Sequence, residues 1–259
     1  MADESQPISQ QTADAITQAK ATLAQSRRVA CFSGAGLSAE SGVATFRDIE
    51  THALWKQFDP MEMASPEGFA ANPQRVIAWY NWRRQQLAAV QPNPGHQALA
   101  QQQHLLQITQ NVDDLLERAG LRPQHVYHLH GTITHDHCHR CQHREQVSLT
   151  TPPDYRLCPS CQMGEMRPSV VWFGEALPDG PWQAAEALCR HIDALLVVGT
   201  SATVYPAAGL IQIAKRAGAT IIVVNTQASD ASYLADHELI GKSGDVLPAL
   251  LSGLSLRSH

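Results

Sequence analysis

Four cysteines constrain this chain more than any other feature. Cys138 and Cys141 form one C-x2-C pair, Cys158 and Cys161 form another, and 16 residues separate the pairs. Two knuckles at this spacing are the ligand pattern of a tetrahedral zinc site, in which four thiolates close the shell and leave no open position for water. One structural zinc ion is therefore expected, and removing it should unfold the segment that carries it. His135, His137, His139 and His143 crowd the first knuckle, but a complete four-cysteine set argues against them as ligands. The other two cysteines, Cys31 and Cys189, lie in the apolar stretches VACFSG and ALCRHIDALLVV and read as small buried hydrophobes. Thiolates on zinc with no further pairing pattern fit a reducing compartment. The first residues, MADESQPISQQTADA, are acidic and polar, unlike a signal peptide. No apolar run approaches the ~18 residues of a membrane span. A cytoplasmic location without a membrane partner is the expectation.

Around the cysteines, apolar runs alternate with helical patterns. RRVACFS (27–33), LLQIT (105–109), HVYHLH (125–130), SVVWF (169–173), ALLVVG (194–199) and TIIVVN (220–225) read as strands. Several are nearly continuous apolar runs, as expected when helices cover both faces of a sheet. Helical spacing marks 10–26, 93–103, 111–119, 181–190 and 205–217. The alternation predicts an α/β fold with a Rossmann-like, doubly wound parallel sheet. Two segments interrupt it. Residues 48–92 look mostly helical, with Trp55, Phe58, Phe69, Trp79 and Trp82 as apolar surface, and 132–167 hold the cysteines and little core material. The expected organisation is a larger domain of 1–47, 93–131 and 168–259, and a smaller one made of the helical insertion and the zinc ribbon. The composition, 44% apolar and 17% charged, is globular. A net charge of -5 argues against a general nucleic-acid binder, which needs clustered Lys and Arg.

Residues 34–39, GAGLSA, match G-x-G-x-x-A directly after a strand and at the start of a helix. Glycines in that place let the backbone approach a pyrophosphate, and helix-terminal N–H groups accept its charge. A merely tight turn is the alternative. A dehydrogenase would add an acidic residue closing a second strand about 20 positions on. GVATFRD (42–48) stands there instead, so a dinucleotide is expected to sit on this loop in a manner unlike a dehydrogenase's.

GAGLSAESGVATFRD (34–48), TQNVDDLLERAG (109–120), HLHGT (128–132), the four cysteines, VVWFGE (170–175) and GTSATVYPAA (199–208) follow one another along the chain. As a set they resemble the sirtuin family of NAD-dependent protein-lysine deacylases, over about residues 20–250. Ala44 stands where the family usually has proline, which suggests a looser loop with activity kept. The resemblance implies NAD as co-substrate, held by Gly34, Ala35, Gly36, Ser38, Ala39 and Thr45. Phe46 would shield the reacting ribose carbon, and Arg47 would lie near the phosphates. Gln110 and Asn111 would contact the ribose, and Asp113 would receive the nicotinamide carboxamide. Side-chain amides and a carboxylate suit hydroxyls and an amide, although N-x-D also reads as a helix cap, with Asp114 expected to serve the helix start. Gly199, Thr200, Ser201, Asn225 and Thr226 close two more strands, where ligands of open α/β sheets collect, or serve as ordinary caps. Ser243 falls on the adenine side. His130 would be the general base, its ordinary pKa being near neutrality, with Asn111 beside it in the catalytic set. VVWFGE would pair with the substrate peptide as an added strand, or else be a core strand. Val171 would offer its carbonyl to the acyl-lysine amide, with Phe173, Gly174 and Glu175 alongside.

AWYNWRRQQ (78–86) bears on the acyl group. Tyr80 and Arg83 are three apart and share a helix face, whereas Arg84 points about 100° away. The sirtuin branch that removes succinyl and other dicarboxylic acyl groups has Tyr-x-x-Arg here, and a guanidinium plus a phenol can bind a terminal carboxylate. The resemblance thus implies acylated-lysine proteins as partners. The amide oxygen would attack the ribose C1' as nicotinamide leaves, and His130 would activate the 2'-hydroxyl. Free lysine and an O-acyl-ADP-ribose would result. A monomer is expected. A protein mono-ADP-ribosyltransferase or a non-enzymatic zinc-ribbon adaptor are the alternatives.

Overall fold

The computed structural model describes residues 9–43 and 59–258. At its centre is a six-stranded, all-parallel sheet. It comprises β1 (Val29–Ser33), β2 (Leu106–Thr109), β3 (Val126–His128), β7 (Ala194–Val198), β8 (Thr220–Asn225) and β9 (His237–Ile240), in the order β3-β2-β1-β7-β8-β9. Every residue of β1 and β7 is buried. Alternate side chains of these strands supply two cores, one per face. Val29, Cys31, Leu196 and Val198 pack toward α1 (Gln10–Gln25), α6 (Pro94–Gln101) and α10 (Ser243–Leu251). Ala30, Phe32, Leu195 and Val197 pack toward α8 (Asp179–Cys189) and α9 (Gly209–Arg216). The strand order turns outward in both directions from β1 and β7. The crevice at the carboxyl ends of these two strands is therefore the switch point where such sheets bind ligands.

A second sheet is antiparallel. It contains β4 (Gly131–Cys138), β5 (Arg144–Gln146) and β6 (Met166–Val170), in the order β5-β4-β6. Next to it lie three helices, α3 (Pro60–Met63), α4 (Pro66–Ala71) and α5 (Pro73–Ala89). These two units share a core of their own in which Phe69, Val76, Trp79 and Tyr80 meet Ile133, Val170 and Trp172. The helix starts follow from sequence. Ser65, Asn72 and Asn93 each precede a proline, and their side chains accept from Gly68 N, Arg75 N and His96 N at 3.0, 3.0 and 3.2 Å. Proline at the first helical position loses no hydrogen bond, and the cap satisfies an orphan donor.

Several expectations change. The SVVWF run is not a strand of the parallel sheet; only its first two residues, Ser169 and Val170, end β6 of the small sheet, and the chain then leaves regular pairing. A short apolar run signals burial without saying against which sheet. The helix expected over 111–119 is confined to α7 (Leu115–Arg118). Strand β9 and helix α10 were not expected. Trp55 and Phe58 lie outside the described residues. Among the described residues, no helix is long and apolar enough to cross a membrane.

Candidate active site

The first loop folds onto the switch point because its glycines allow contact that no side chain would. A Cβ on Gly36 would lie 2.7 Å from Gly199 Cα, and one on Gly34 would lie 2.8 Å from Thr200 Cβ. Gly199 itself has φ +60, a left-handed backbone that glycine adopts without penalty. Gly36 N donates to Gly199 O at 2.7 Å, which locks the start of α2 (Ala35–Ala39) to the end of β7. A small cleft opens there between Gly36, Gly199, Asn225, Thr226, Gly241 and Ser243. Five residues assigned to the cofactor from sequence, Gly36, Gly199, Asn225, Thr226 and Ser243, thus line one cleft. Asn225 Nδ2 donates to Thr200 O at 2.8 Å, and Thr200 Oγ1 donates to Gln110 Oε1 at 2.9 Å. Ser201 Oγ pairs with Thr203 Oγ1 at 2.8 Å. Ser243 Oγ donates to Glu40 Oε1 at 2.8 Å; Glu40, unassigned from sequence, ties α10 to the glycine loop. Thr45, Phe46 and Arg47 lie outside the described residues, as does Ala44.

On the other side of β1, the ends of β2 and β3 bring the polar set together. Gln110 N donates to Ser33 O at 2.9 Å, which fixes the loop after β2 to β1. Asn111 Nδ2 donates to Ser38 Oγ at 3.0 Å, and His96 Nε2 approaches the same oxygen at 3.4 Å. His96 is fully buried, and burial holds its pKa down at about 4. Its Nδ1 accepts from Asn93 N at 3.3 Å, so the ring is neutral with its proton on Nε2, pointing at Ser38. Asp113 is buried, and burial raises its pKa against hydrogen bonds from Leu115 N and the Ser38 hydroxyl. One expectation changes at the helix start: Asp113, and not Asp114, makes the cap bond. Asp113 Oδ1 accepts from Leu115 N at 3.2 Å, while Asp114, at the N-cap position, makes no side-chain cap bond and lies 3.8 Å from Arg118.

His130 sits in the turn between β3 and β4. Its Nδ1 lies 3.0 Å from Gln110 O. A carbonyl only accepts, so Nδ1 carries the proton, and among the described residues Nε2 is left as an open acceptor. Burial lowers the His130 pKa, and the bond to Gln110 partly offsets this. The ring is therefore neutral at pH 7 and equipped to take a proton. His130 O accepts from Val171 N at 2.9 Å, and Phe173 N donates to Ala64 O at 2.9 Å. These bonds hold 171–173 between the two cores, and Glu175 N closes a turn onto Trp172 O at 3.0 Å. Among the described residues, the Val171 carbonyl has no hydrogen-bond donor. Gly174 turns the chain at φ +85. The Glu175 carboxylate is engaged inside the fold, by Arg167 at 2.6 and 3.0 Å and by Trp172 N at 2.8 Å.

Tyr80 and Arg83 share the face of α5 that looks toward this segment. Tyr80 is fully buried, and its oxygen accepts from Trp172 Nε1 at 2.9 Å. Arg83 is half-buried, its guanidinium 4.8 Å from the Trp79 ring centroid and 5.5 Å from that of Tyr80. Burial lowers its pKa; Tyr80, to which it hydrogen-bonds, and the Asp113 charge partly counter this, which puts Arg83 in electrostatic reach of the loop after β2. Among the described residues, no carboxylate pairs with Arg83. Arg84 does something different. It is fully buried and bonds Ile133 O, Asn81 Oδ1 and Asp136 Oδ1 at 2.9, 3.1 and 2.6 Å.

The four cysteine sulfurs lie within 4.8 Å of one another, with Cys138–Cys161 and Cys141–Cys158 at 3.7 Å. Disulfides would need about 2.05 Å, whereas zinc–sulfur bonds of about 2.3 Å in a tetrahedron put sulfurs about 3.8 Å apart. The knuckles are built alike. The residue after each second cysteine is left-handed, Gln142 at φ 62 and Gln162 at φ 54, and backbone N–H groups of Arg140, Ser160 and Gly164 point at the sulfurs from 3.3–3.4 Å. Such N–H groups favour thiolates. The donor set fits one closed-shell structural zinc.

A family model described as Sir2 family matches residues 34–206. This chain belongs to the Sir2 family. An NAD-dependent protein deacylase of Mycolicibacterium paratuberculosis is 46% identical over 234 residues, covering 88% of this chain and 98% of the relative. A solved Sir2 homologue in complex with NAD superposes with a TM-score of 0.84 at 40% identity, covering 91% of this chain and 92% of the other. A mutant Sir2 homologue in complex with 2'-O-acetyl ADP ribose gives 0.82 at 40% identity, covering 90% and 94%. The chain therefore has the sirtuin architecture along most of its length.

Proposed function

We propose that this sirtuin removes acyl groups from protein lysines at the expense of NAD, and that its acyl site takes succinyl and other chains ending in a carboxylate, as well as acetyl. The observation that carries the reading is His130. Its Nδ1 is committed to Gln110 O at 3.0 Å and its Nε2 is open, beside Gln110, Asn111 and Asp113 at the switch-point edge. Sir2 homologues are solved with NAD and with 2'-O-acetyl ADP ribose, which supports NAD as co-substrate and the sugar as acyl acceptor here.

In this reading the glycine loop and the β7 and β8 ends hold the dinucleotide, with Ser243 on its adenine side. Asn111 and Asp113 hold the carboxamide and ribose. The Val171 carbonyl receives the acyl-lysine N–H, and residues 171–174 lay the peptide across the cleft. His130 Nε2 takes the proton of a ribose hydroxyl as the acyl group moves to it. The work of the protein is orientation, exclusion of water and one general base. One water is consumed, and the products are nicotinamide, O-acyl-ADP-ribose and free lysine. Tyr80 and Arg83 support the finer reading. An arginine with no carboxylate partner among the described residues, beside a buried phenol, suits an anionic acyl end.

The test is mass spectrometry of one peptide carrying acetyl-lysine or succinyl-lysine, incubated with the protein and NAD. Loss of both acyl groups with nicotinamide release is expected, with succinyl preferred and the preference lost in Arg83→Met. Acetyl removal alone would overturn the carboxylate site. No NAD-dependent loss from either peptide, in folded zinc-loaded protein, would overturn the whole reading.

A further inference from the structure

Trp172 lies inside the second core. The side chain is 2% exposed. The Arg167 guanidinium stacks on its ring at 3.2 Å from the centroid, and the Phe69 ring lies at 5.2 Å. Arg167 is in turn held by Glu175, which also accepts from Trp172 N. The indole has no freedom to turn. Its Nε1–H points at the Tyr80 oxygen, 2.9 Å away and 92 residues apart in sequence.

An indole N–H can only donate, so the Tyr80 oxygen must accept this bond. The hydroxyl hydrogen of Tyr80 is thereby directed elsewhere, and among the described residues it meets no acceptor. Arg83, on the same helix face, also only donates, and its hydrogen bond to Tyr80 engages the second lone pair of that oxygen. The two side chains therefore offer hydrogen-bond donors and no free acceptor.

We propose that Trp172 is a specificity-setting positioning residue: its indole N–H fixes Tyr80 as a donor, so that the wall made by Tyr80 and Arg83 selects an acyl chain ending in a hydrogen-bond acceptor of negative charge. Without the indole N–H, the phenol can turn its own hydrogen inward and present its oxygen to the acyl end, where a carboxylate is repelled. This inference rests on the carboxylate-acyl reading given above.

The experiment is a double-mutant cycle on one peptide carrying succinyl-lysine or acetyl-lysine. It compares the parent with Trp172→Phe, Tyr80→Phe and the double variant, and reads the ratio of kcat/KM values for the two substrates. Trp172→Phe keeps an aromatic ring and removes the donor. In the parent background the succinyl-to-acetyl ratio should fall about fivefold to tenfold, as one hydrogen bond would give. In the Tyr80→Phe background the same change should leave the ratio within about twofold, because the hydroxyl through which Trp172 acts is gone. A purely structural role would lower both substrates together in both backgrounds. If Trp172→Phe fails to fold, replacing Trp172 with benzothienylalanine, which puts sulfur in place of the N–H at nearly constant shape, decides the matter. Equal ratio changes in both backgrounds, or no change in the parent background, overturn the proposal while leaving the carboxylate site standing. A parent protein without succinyl activity overturns both.

Discussion

Replacing Arg84 with methionine tests how the second core is held together. The guanidinium joins α5 to β4 through Ile133 O, Asn81 Oδ1 and Asp136 Oδ1, and neither it nor Asp136 is more than 3% exposed. Removing one partner of a buried ion pair costs about 3–5 kcal/mol, because the other charge stays buried. Here Arg156 still lies 3.2 Å from Asp136 Oδ2, so the loss should fall at the lower end, about 3 kcal/mol. At roughly 2–4 °C per kcal/mol for a chain of this size, Arg84→Met should lower Tm by about 6–12 °C. The double variant Arg84→Met, Asp136→Leu should recover most of that, since an apolar replacement of the whole pair removes the stranded charge. Thermal unfolding of zinc-loaded protein measures both. A single variant within about 1 °C of the parent, or a double variant less stable than the single, would refute the reasoning.

His130→Ala should lower acyl transfer by about 10²–10⁴, yet keep acyl-dependent exchange of labelled nicotinamide into NAD; loss of both would place His130 at the wrong step. Since burial lowers the His130 pKa, its neutral form prevails above the ordinary ~6.5. The kcat/KM profile should therefore rise with pH, level off before that point, and show no inflection from this group above pH 7. Zinc release by a mercurial, titrated against a colorimetric zinc dye, should free one ion per chain and abolish activity as the small sheet unfolds; full activity after release would contradict a structural ion. Gly36→Ala, whose Cβ would meet Gly199 Cα at 2.7 Å, should raise the KM for NAD by about fivefold to thirtyfold, at about 1–2 kcal/mol of lost contact; an unchanged KM would remove this loop from the cofactor site.

Legibility in the sequence divides along physical lines. β1 and β7 were legible because a buried parallel strand must be apolar throughout, and VACFS and ALLVV are buried at every position. β9 was not. HELI is an edge strand with one buried residue, and half its residues are polar. The cysteines were legible because zinc fixes spacing as well as residue type. The cap expected at Asp114 lies at Asp113, because either carboxylate can reach an N–H at a helix start and loop geometry decides between them. Tyr80 and Arg83 were legible as a pair on one helix. Their orientation was not, because the Trp172 that bonds Tyr80 lies 92 residues away and belongs to a segment that reads as a strand. His96 escaped notice for another reason. In PGHQALAQ it looks like a helix residue, and only the Asn93 cap that accepts at His96 N and donates to its ring betrays the polar site beneath.

The two halves of the site are specified by different physics, and this separates their mutational consequences. The cofactor side follows from topology. In an all-parallel sheet every strand ends at the same edge, so the loops after β1, β2, β7 and β8 must converge, and close backbone approach at Gly34, Gly36 and Gly199 completes the cleft. The proposed acyl side depends on a separate core in which a helix meets an antiparallel sheet through Arg84, Trp172 and Ile133. Residues 171–173 join the two, with Val171 N bonded to His130 O and Phe173 N bonded to Ala64 O. Conservative changes in the second core should therefore shift the choice of acyl chain while leaving the KM for NAD in place. Changes at the switch point should weaken NAD for every acyl chain alike. The 171–173 segment and the His130 turn that holds it should move both, because they are bonded to each side.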